Sequence, residues 1–410
     1  MVKLVPILLA LAVAALVLVG CGSNESTQPQ VLVILTPDST GLDLCGALDV
    51  IAELENAEDS RVDWYVNDIL GGDAAVGTIT QTNPAHYGAP AHLPNPPDVV
   101  IKAVPKADVS QQAICVVTLR QVAITGLYVS ASTGSDQTGT GCTARPVKSI
   151  TRALQLARPG ITIHVAPGTY DAVGGEVFPL VITDSIAVVG DDWENCIIRG
   201  HSADTVGYYE AIDIEGQRST LRKFTLEQGV GTSEPWEIAI FTAHTASKAL
   251  IDSIRVFERA AYSVIRVQGA SDCVITNCYL TVTGMRSSRG FEIVSNETGT
   301  IIRNCTVSGF STGLFFNNSS YATVEGCTVE GNGYGIELCC LNDEDSKPNP
   351  DFGGGAGGST GGNLIRNNED CGLYNFTPNT IYAKYNTWTN DPPVAGVDYR
   401  NEAAGSVIWQ

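Results

Sequence analysis

The sequence predicts an all-β protein built from an N-terminal β-sandwich and a right-handed parallel β-helix with a short N-terminal capping helix. Two observations predict the β-helix: a six-residue pattern that returns five times between residues 221 and 329, and a glycine-led apolar run that recurs behind it. A third observation predicts the sandwich, because residues 31–120 consist of short strand-like runs separated by turn residues.

The six-residue pattern has an apolar residue first, a small or apolar residue fourth and an apolar residue sixth. Its fourth positions are 224, 254, 278, 305 and 327, so the copies lie 22 to 30 residues apart, a period that indicates a solenoid. In the last three copies the third position is Asn277, Asn304 or Gly326, residue types that tolerate positive φ. A corner there lets positions one, four and six all point inward, along two short strands that meet at a bend.

A third strand per coil is predicted by Gly-apolar-x-apolar runs at residues 290–293, 313–316 and 335–338, and by the related run at 372–375. Three short strands in so short a coil leave no room for a helix, which favours a parallel β-helix over leucine-rich or helical repeats. These coils resemble the repeats of the pectate-lyase-like superfamily.

The stretch that opens this region carries Tyr128-Val-Ser130, Gly134-Ser-Asp136 and Pro146-Val-Lys-Ser-Ile150. It resembles the start of a lipoprotein-rich domain family of unknown function within the same superfamily, and the resemblance extends over about residues 127–393. It implies a β-helix domain at residues 127–410. A shared fold does not imply a shared activity.

Residues 147–157 form the one convincing amphipathic helix, with Ile150, Ala153, Leu154 and Ala157 on one stripe. A solenoid exposes apolar surface and unpaired strands at an open end. We therefore expect this helix to cap the β-helix.

The N-terminus has the features of an export signal. Residues 1–20 carry Lys3 and then an apolar run that ends in Leu18-Val-Gly-Cys21. This ending resembles the lipobox of bacterial lipoproteins, which implies cleavage before Cys21, lipidation of its thiol, and residues 21–30 as a polar spacer in a protein anchored to the cell envelope. An uncleaved anchor helix is the alternative. The net charge of −20 argues against nucleic acid as a partner.

The predicted sandwich strands lie at residues 31–35, 48–54, 62–67, 77–80, 98–104 and 113–119. The segment resembles bacterial Ig-like domains, which implies that Trp64 fills the core between the sheets. Cys45 and Cys115 flank this region, and an exported chain favours a disulfide between them; two separately buried thiols are the alternative.

The cysteines of the repeat, Cys278, Cys305 and Cys327, fall at one register position. We expect them to be reduced and stacked inside the solenoid as small apolar residues, rather than to form a metal ladder. A further group, Cys339, Cys340 and Cys371, flanks an insertion and is a candidate for a disulfide.

Candidate site residues come from the middle position of the third strand, which must face outward because its neighbours face inward. From coil to coil these residues are Asp213, Ala239, Arg266, Glu292, Phe315, Glu337 and Tyr374. Aromatic rings beside carboxylates suit a sugar chain, with Phe315, Tyr374 and Asp213 as ligand-binding residues.

The catalytic candidates in the same column are Arg266, Glu292 and Glu337. Glu292 and Glu337 lie two coils apart, about 9.6 Å between backbones, near the upper end of the carboxyl separation of inverting glycosidases. Alternatively, Arg266 serves as the base of a lyase. The remaining alternative is an ordinary surface ion pair.

The insertion at residues 341–362 carries Asp343, Glu344, Asp345 and Asp351 ahead of a glycine-rich stretch. Clustered carboxylates are candidate Ca²⁺ ligands, the only cofactor that the sequence suggests. The EF-hand spacing is absent, however, so the sequence favours a solvated, mobile loop.

Three functions follow from these features. The first is a surface lipoprotein that binds polysaccharide, the second a polysaccharide lyase or glycoside hydrolase, and the third a structural or adhesive protein without catalysis. The sequence favours them in that order.

Overall fold

The structure is a computed structural model that describes residues 29–121, 126–200, 210–228, 238–257, 262–282, 288–294, 298–318, 321–339, 348–402 and 405–410. Strands form nearly all of its regular structure, which confirms the all-β class. In the described part of the chain, no helix is long and apolar enough to cross a membrane. The predicted signal segment at residues 1–20 and Cys21 lie outside the described residues.

The N-terminal part is a β-sandwich of ten strands. They are β1 Leu32–Thr36, β2 Ser39–Asp43, β3 Ala47–Glu55, β4 Val62–Val66, β5 Ile69–Leu70, β6 Gly72–Asp73, β7 Gly77–Ile79, β8 Ala85–Gly88, β9 Asp98–Pro105 and β10 Ala113–Arg120. One sheet has the order β1-β3-β8-β7-β6 and the other β2-β10-β9-β4-β5. Trp64 is fully buried in the core that the two sheets share, as predicted.

The rest of the chain forms a parallel β-helix with one helix, α1 Ile150–Leu156. Its first strands are β11 Gly126–Val129, β12 Thr162–Val165, β13 Gly168–Asp171, β14 Leu180–Ile182, β15 Ala187–Gly190, β16 Cys196–Arg199, β17 Glu210–Ile214, β18 Thr220–Glu227, β19 Ile238–Thr242, β20 Leu250–Val256, β21 Ser263–Gln268, β22 Val274–Thr276 and β23 Tyr279–Thr281. The later strands are β24 Arg289–Val294, β25 Thr298–Arg303, β26 Thr306–Ser308, β27 Thr312–Asn317, β28 Tyr321–Glu325, β29 Thr328–Glu330, β30 Tyr334–Cys339, β31 Leu364–Arg366, β32 Cys371–Asn375, β33 Thr380–Tyr382, β34 Thr387–Trp388, β35 Tyr399–Asn401 and β36 Ser406–Ile408.

Two long sheets run along this β-helix. The larger one contains fifteen strands and includes both halves of the six-residue repeat. The other, called the nine-stranded sheet below, has the order β14-β17-β19-β21-β24-β27-β30-β32-β35 and contains the glycine-led runs. All pairings along the nine-stranded sheet are parallel, so equivalent positions of successive coils stack above one another.

The corners of the repeat follow the prediction. Asn277, Asn304 and Gly326 have φ of 54°, 53° and 61°. Lys223 and Ser253 take the same conformation, with φ of 63° and 56°, within the continuous strands β18 and β20. The corner is therefore a property of the coil and is formed even where the sequence offers no residue suited to positive φ.

The stacked thiols of the repeat are buried in the solenoid core. Cys278, Cys305 and Cys327 are free cysteines, each at 2% exposure. Their Sγ atoms lie 3.9, 3.8 and 3.6 Å from carbonyl oxygens of the preceding coil. Burial raises the pKa of the Cys305 thiol well above its usual value, which keeps the thiol protonated.

Helix α1 caps the open end as expected, although it is shorter than the predicted range. Ile150 and Ala153 are buried against the first coil. Two side chains accept hydrogen bonds from the free amide groups of the first helical turn. Ser149 accepts from the Arg152 amide, and the Glu176 carboxylate accepts from the Ile150 and Thr151 amides at 2.7 and 2.8 Å. A buried carboxylate from the next coil thus holds the cap in place.

A disulfide joins the two parts of the chain. It links Cys45 to Cys142, across 97 residues of sequence. The expected bridge between Cys45 and Cys115 is wrong: Cys115 is a free, buried thiol on β10. The partner of Cys45 is Cys142, which lies in the β-helix part of the chain. The packing of the sandwich against the β-helix therefore decides the pairing, rather than the strand order within the sandwich.

Arg145 reinforces this junction. Its guanidinium donates to the carbonyl oxygens of Thr78 at 2.9 Å and His86 at 2.7 Å, both in the sandwich. Gly88 makes room for it, because a Cβ there would lie 2.6 Å from Nε of Arg145. The sandwich and the first coil are therefore closely coupled.

The described end of the insertion, residues 348–362, is packed. Asp351 and Gly353 form bridges to Thr323 and Ala383, and Phe352 is fully buried with its ring 5.7 Å from that of Phe316. The expectation of a solvated loop is therefore wrong for this part. Cys371 is a free, buried thiol, and Cys340 lies outside the described residues.

Candidate functional site

One column of side chains runs along the outer face of the nine-stranded sheet. The register places Asp213, Phe241, Arg266, Glu292, Phe315, Glu337, Tyr374 and Arg400 at equivalent positions of eight successive strands. We call this set the outer column. It contains every predicted column residue except Ala239, which is fully buried. That position belongs to Phe241, which pairs with Asp213 on one side and with Arg266 on the other.

A second row lies three residues earlier in the strands. It comprises Ser263, Arg289, Thr312 and Tyr334, which are also in register. We call it the side row. Each of its last three members reaches the outer-column residue of the following coil. This row was not predicted from the sequence, although three of its members stand immediately before the glycine of a glycine-led run.

Glu292 is the most enclosed charged group of the column. Its side chain is 6% exposed, and Oε1 accepts a hydrogen bond from Nη1 of Arg289 at 2.6 Å. On the other side, Nε of Arg266 lies 3.9 Å from Oε2. Two guanidinium groups from neighbouring coils therefore compensate one buried carboxylate.

Phe315 does not have the exposed ring that the strand alternation predicted. It is 1% exposed, because the Arg289 guanidinium covers it at 3.6 Å from Cζ to the ring centroid. Glu292, predicted to be exposed, is also buried at 4%. The Phe315 ring fills the column between Glu292 and Glu337. Arg289 of the side row covers Phe315 and bonds Glu292, and it thereby determines the burial of these two residues.

Glu337 is the next carboxylate along the column and is partly exposed. Its Oε2 accepts a hydrogen bond from Oγ1 of Thr312, in the side row, at 2.8 Å. This contact fixes one oxygen and leaves the carboxylate accessible to a hydroxyl group of a ligand.

Aromatic rings dominate the far end of the column. Tyr334 and Tyr374 stack with ring centroids 5.4 Å apart, and Phe376, 44% exposed, lies 5.9 Å from Tyr374. Arg400 lies over the Tyr374 ring at 5.0 Å and its Nε is 3.7 Å from Glu402. We call Tyr334, Tyr374, Phe376 and Arg400 the aromatic end.

Asp213 starts the column at the opposite end. Its Oδ1 is buried and has no hydrogen-bond partner among the described residues. Burial, followed by the nearby charge of Glu215, raises the pKa of Asp213 to about 6. The group therefore changes charge in mildly acidic solution.

The candidate calcium residues fall into two groups. Asp343, Glu344 and Asp345 lie outside the described residues. Asp351 is 5% exposed, and its carboxylate accepts the amide N–H groups of Gly353, Gly355 and Ser359 at 2.9, 3.0 and 3.1 Å. These amide N–H groups engage both carboxylate oxygens and so organise the glycine-rich turn. Their positive dipole ends point at the position that a cation would occupy, so Asp351 does not fit a Ca²⁺ ligand.

Comparisons with known proteins identify a family for most of the β-helix. The family described as "Protein of unknown function (DUF1565)" matches residues 129–395. No curated protein matches the sequence.

Solved structures show only a distant likeness. Pectate lyase Pel9A has a TM-score of 0.46 at 14% identity, covering 70% of this chain and 78% of its own. XylC in complex with xylose gives 0.40 at 10%, covering 64% and 69%. A GH136 lacto-N-biosidase from Eubacterium ramulus gives 0.40 at 10%, covering 70% and 68%. At these values the likeness says nothing about activity.

Proposed function

Since this chain belongs to the DUF1565 family, whose description states no function, we propose from its own site that it binds a neutral polysaccharide along the outer column. The aromatic end carries the proposal. Tyr334 and Tyr374 form a stacked platform beside the half-exposed Phe376. Sugar rings present C–H faces that pack on aromatic rings and hydroxyl groups that need hydrogen-bond partners.

The charges of the column favour a neutral chain. Arg266 and Arg289 both lie against Glu292, and Arg400 lies against Glu402. The described guanidinium groups of the column are therefore already engaged by carboxylates. The protein as a whole carries a net charge of −20, which repels polyanions.

The same geometry favours binding over turnover by the predicted acid pair. The Phe315 ring occupies the column between Glu292 and Glu337, where an inverting hydrolase holds the attacking water. Arg266 lies 3.9 Å from Glu292, and a guanidinium stays protonated in proteins, so it is poorly suited to abstract a proton.

One observation supports a second candidate, a glycoside hydrolase. The raised pKa of Asp213, about 6, suits a proton donor, and Glu215, whose charge contributes to that shift, lies one residue past the end of β17.

A glycan array with the full-length protein tests the proposed function. We expect neutral oligosaccharides to bind, and Tyr374→Ala to weaken the signal by about tenfold, as expected for the loss of about 1.4 kcal/mol. Tyr382→Ala is the control, because Tyr382 is 39% exposed and lies outside the column. Binding that survives Tyr374→Ala unchanged would exclude the outer column.

Turnover of the bound glycan separates the two candidates. A pure binder releases no reducing ends from any polysaccharide that it retains. Release that is abolished by Asp213→Asn, and retained in Glu292→Gln and Glu337→Gln, would establish the hydrolase instead.

We also propose that the protein is exported and anchored to the cell envelope through lipid on Cys21. The bridge between Cys45 and Cys142 supports export, because disulfides persist in oxidising compartments. Cys21→Ala should move the protein from the membrane to the soluble fraction. A variant that remains in the membrane fraction would contradict lipidation at this residue.

A further inference from the structure

A second cluster of aromatic rings lies beside strands β20 and β23 of the fifteen-stranded sheet, whereas the outer column belongs to the nine-stranded sheet. It consists of Trp193, Arg255, Phe257 and Tyr279, which we call the tryptophan face. We propose that the tryptophan face is a second polysaccharide-binding site of the same chain. It takes the same class of ligand as the outer column and to that extent rests on the proposed function.

The cluster is held together by one arginine. The Arg255 guanidinium lies 5.2 Å from the Trp193 ring centroid and 4.9 Å from that of Phe257. Phe257 and Tyr279 meet edge to face, with centroids 6.0 Å apart. The Glu194 carboxylate lies 3.5 Å from Nη1 of Arg255 and helps to hold the guanidinium between the rings.

These rings face solvent although they pack on one another. Phe257 is 45% and Tyr279 is 39% exposed, and Trp193 is partly exposed. Single exposed aromatic residues are common on protein surfaces, whereas a contiguous group fixed in orientation is a candidate binding surface. Arg255 orders the rings before a ligand arrives, which lowers the entropic cost of binding.

Hydroxyl groups lie beside the Tyr279 end of the cluster, and one more fixes the backbone of Trp193. Thr225, which is in register with Arg255, is buried and donates from Oγ1 to the Trp193 carbonyl oxygen at 2.5 Å. Thr306 is in register with Tyr279 on the next coil. Beside them, the hydroxyls of Thr281 and Ser308 are hydrogen-bonded at 2.7 Å.

The size and surroundings of the cluster favour a sugar chain over a protein partner. A stable protein interface needs about 800 Å² on each side, with an apolar centre. Here three rings lie within four successive coils, those of β16, β18, β20 and β23, which is roughly 14 Å along the solenoid, and threonine and serine hydroxyls flank them. A narrow ligand with apolar faces and hydroxyl edges fits this pattern.

The test counts binding sites on the full-length protein. Affinity electrophoresis in gels that contain xylan, glucomannan or mixed-linkage β-glucan identifies a retarding polysaccharide, and polygalacturonate and alginate serve as polyanionic controls that should not retard the protein. Its purified hexasaccharide is then titrated by calorimetry. We expect two sites per chain in the wild type and one in Phe257→Ala/Tyr279→Ala. The Tyr334→Ala/Tyr374→Ala variant should also retain one site, and the fourfold variant none.

Tyr382→Ala is the matched control, because its exposure of 39% equals that of Tyr279; it should keep both sites. One site in the wild type, lost only in Tyr334→Ala/Tyr374→Ala, would overturn the tryptophan face and leave the proposed function intact. One site lost only in Phe257→Ala/Tyr279→Ala would support the tryptophan face and exclude the outer column. No retardation in any gel would overturn both.

Discussion

The guanidinium of Arg289 lies 3.6 Å above the ring of Phe315 and at the same time donates a 2.6 Å hydrogen bond to Glu292. Phe315 belongs to the next coil, whereas Glu292 belongs to the same coil as Arg289. One side chain therefore ties two coils together and covers the centre of the outer column.

Arg289→Ala is expected to lower the free energy of unfolding by on the order of 3 kcal/mol, because it leaves the buried Glu292 carboxylate with only the more distant Arg266. Arg289→Lys should be milder, since it keeps the charge but loses the planar stack. Urea denaturation measures both variants.

The matched control is Arg366→Ala. This residue also pairs with a glutamate, Glu330, at 2.8 Å, but the two side chains are 45% and 34% exposed. An exposed pair contributes about 0–1 kcal/mol. Equal losses in Arg289→Ala and Arg366→Ala would show that the enclosed position of Glu292 has no energetic consequence.

The stacked thiols should resist chemical modification in the folded protein. Cys278, Cys305 and Cys327 are buried, and burial raises the pKa of Cys305, so the reactive thiolate is scarce at neutral pH. We expect iodoacetamide to label all three only after unfolding in urea, as read by peptide mass mapping. Rapid labelling of the native protein would place them outside the core.

A charge introduced at the same position should disrupt the solenoid. Cys305→Arg buries an unpaired guanidinium and should cost more than about 3 kcal/mol. Cys305→Ala, which leaves only a small cavity, is the comparison. A stable Cys305→Arg protein would contradict the register of the repeat.

Much of the β-helix could be predicted because its determinants are local. Asn277, Asn304 and Gly326 mark corners by their own tolerance of positive φ, and the spacing of apolar residues then defines what points inward. The outer column followed from the same alternation. The prediction failed in β19, where Phe241 rather than Ala239 is in register with Asp213 and Arg266.

Contacts between coils and between domains could not be predicted from local sequence patterns. The burial of Phe315 depends on Arg289, and their proximity is set by the stacking of coils. The bridge from Cys45 to Cys142 depends on how the sandwich packs on the first coil. Such contacts join residues far apart in sequence, for which a single sequence carries no pairing signal.

Removing the inter-domain bridge should weaken the junction. The bridge closes a separation of 97 residues, and a loop of that size corresponds to about 4–5 kcal/mol in the chain-entropy description. Cys142→Ser should therefore lower the unfolding temperature. Cys115→Ala, which removes a free buried thiol, should have a smaller effect. Mass mapping of non-reduced peptides must also recover the Cys45–Cys142 pair, and a different pairing would contradict the structure.

Asp213 makes stability depend on pH in a direction that can be worked out. Burial, followed by the charge of Glu215, raises the pKa of Asp213 from the ordinary aspartate value of 3.8 to about 6. The folded protein therefore holds this proton more tightly than the unfolded chain does. The associated stability is fully present below pH 4 and is lost as the pH rises through 6.

Asp213→Asn removes this titration while keeping the shape of the side chain, so the variant should gain stability relative to the wild type as the pH increases from 4 to 7. Thermal unfolding at several pH values measures the difference between the two proteins, which cancels the titration of all other groups. Glu215→Gln provides the intermediate case, because it removes the second cause of the raised Asp213 pKa and leaves the burial. The loss of stability with rising pH should then occur at lower pH and be smaller than in the wild type. A difference that stays constant from pH 4 to 7 would show that Asp213 ionises normally in the folded protein, and it would remove the basis for assigning a proton donor at this end of the column.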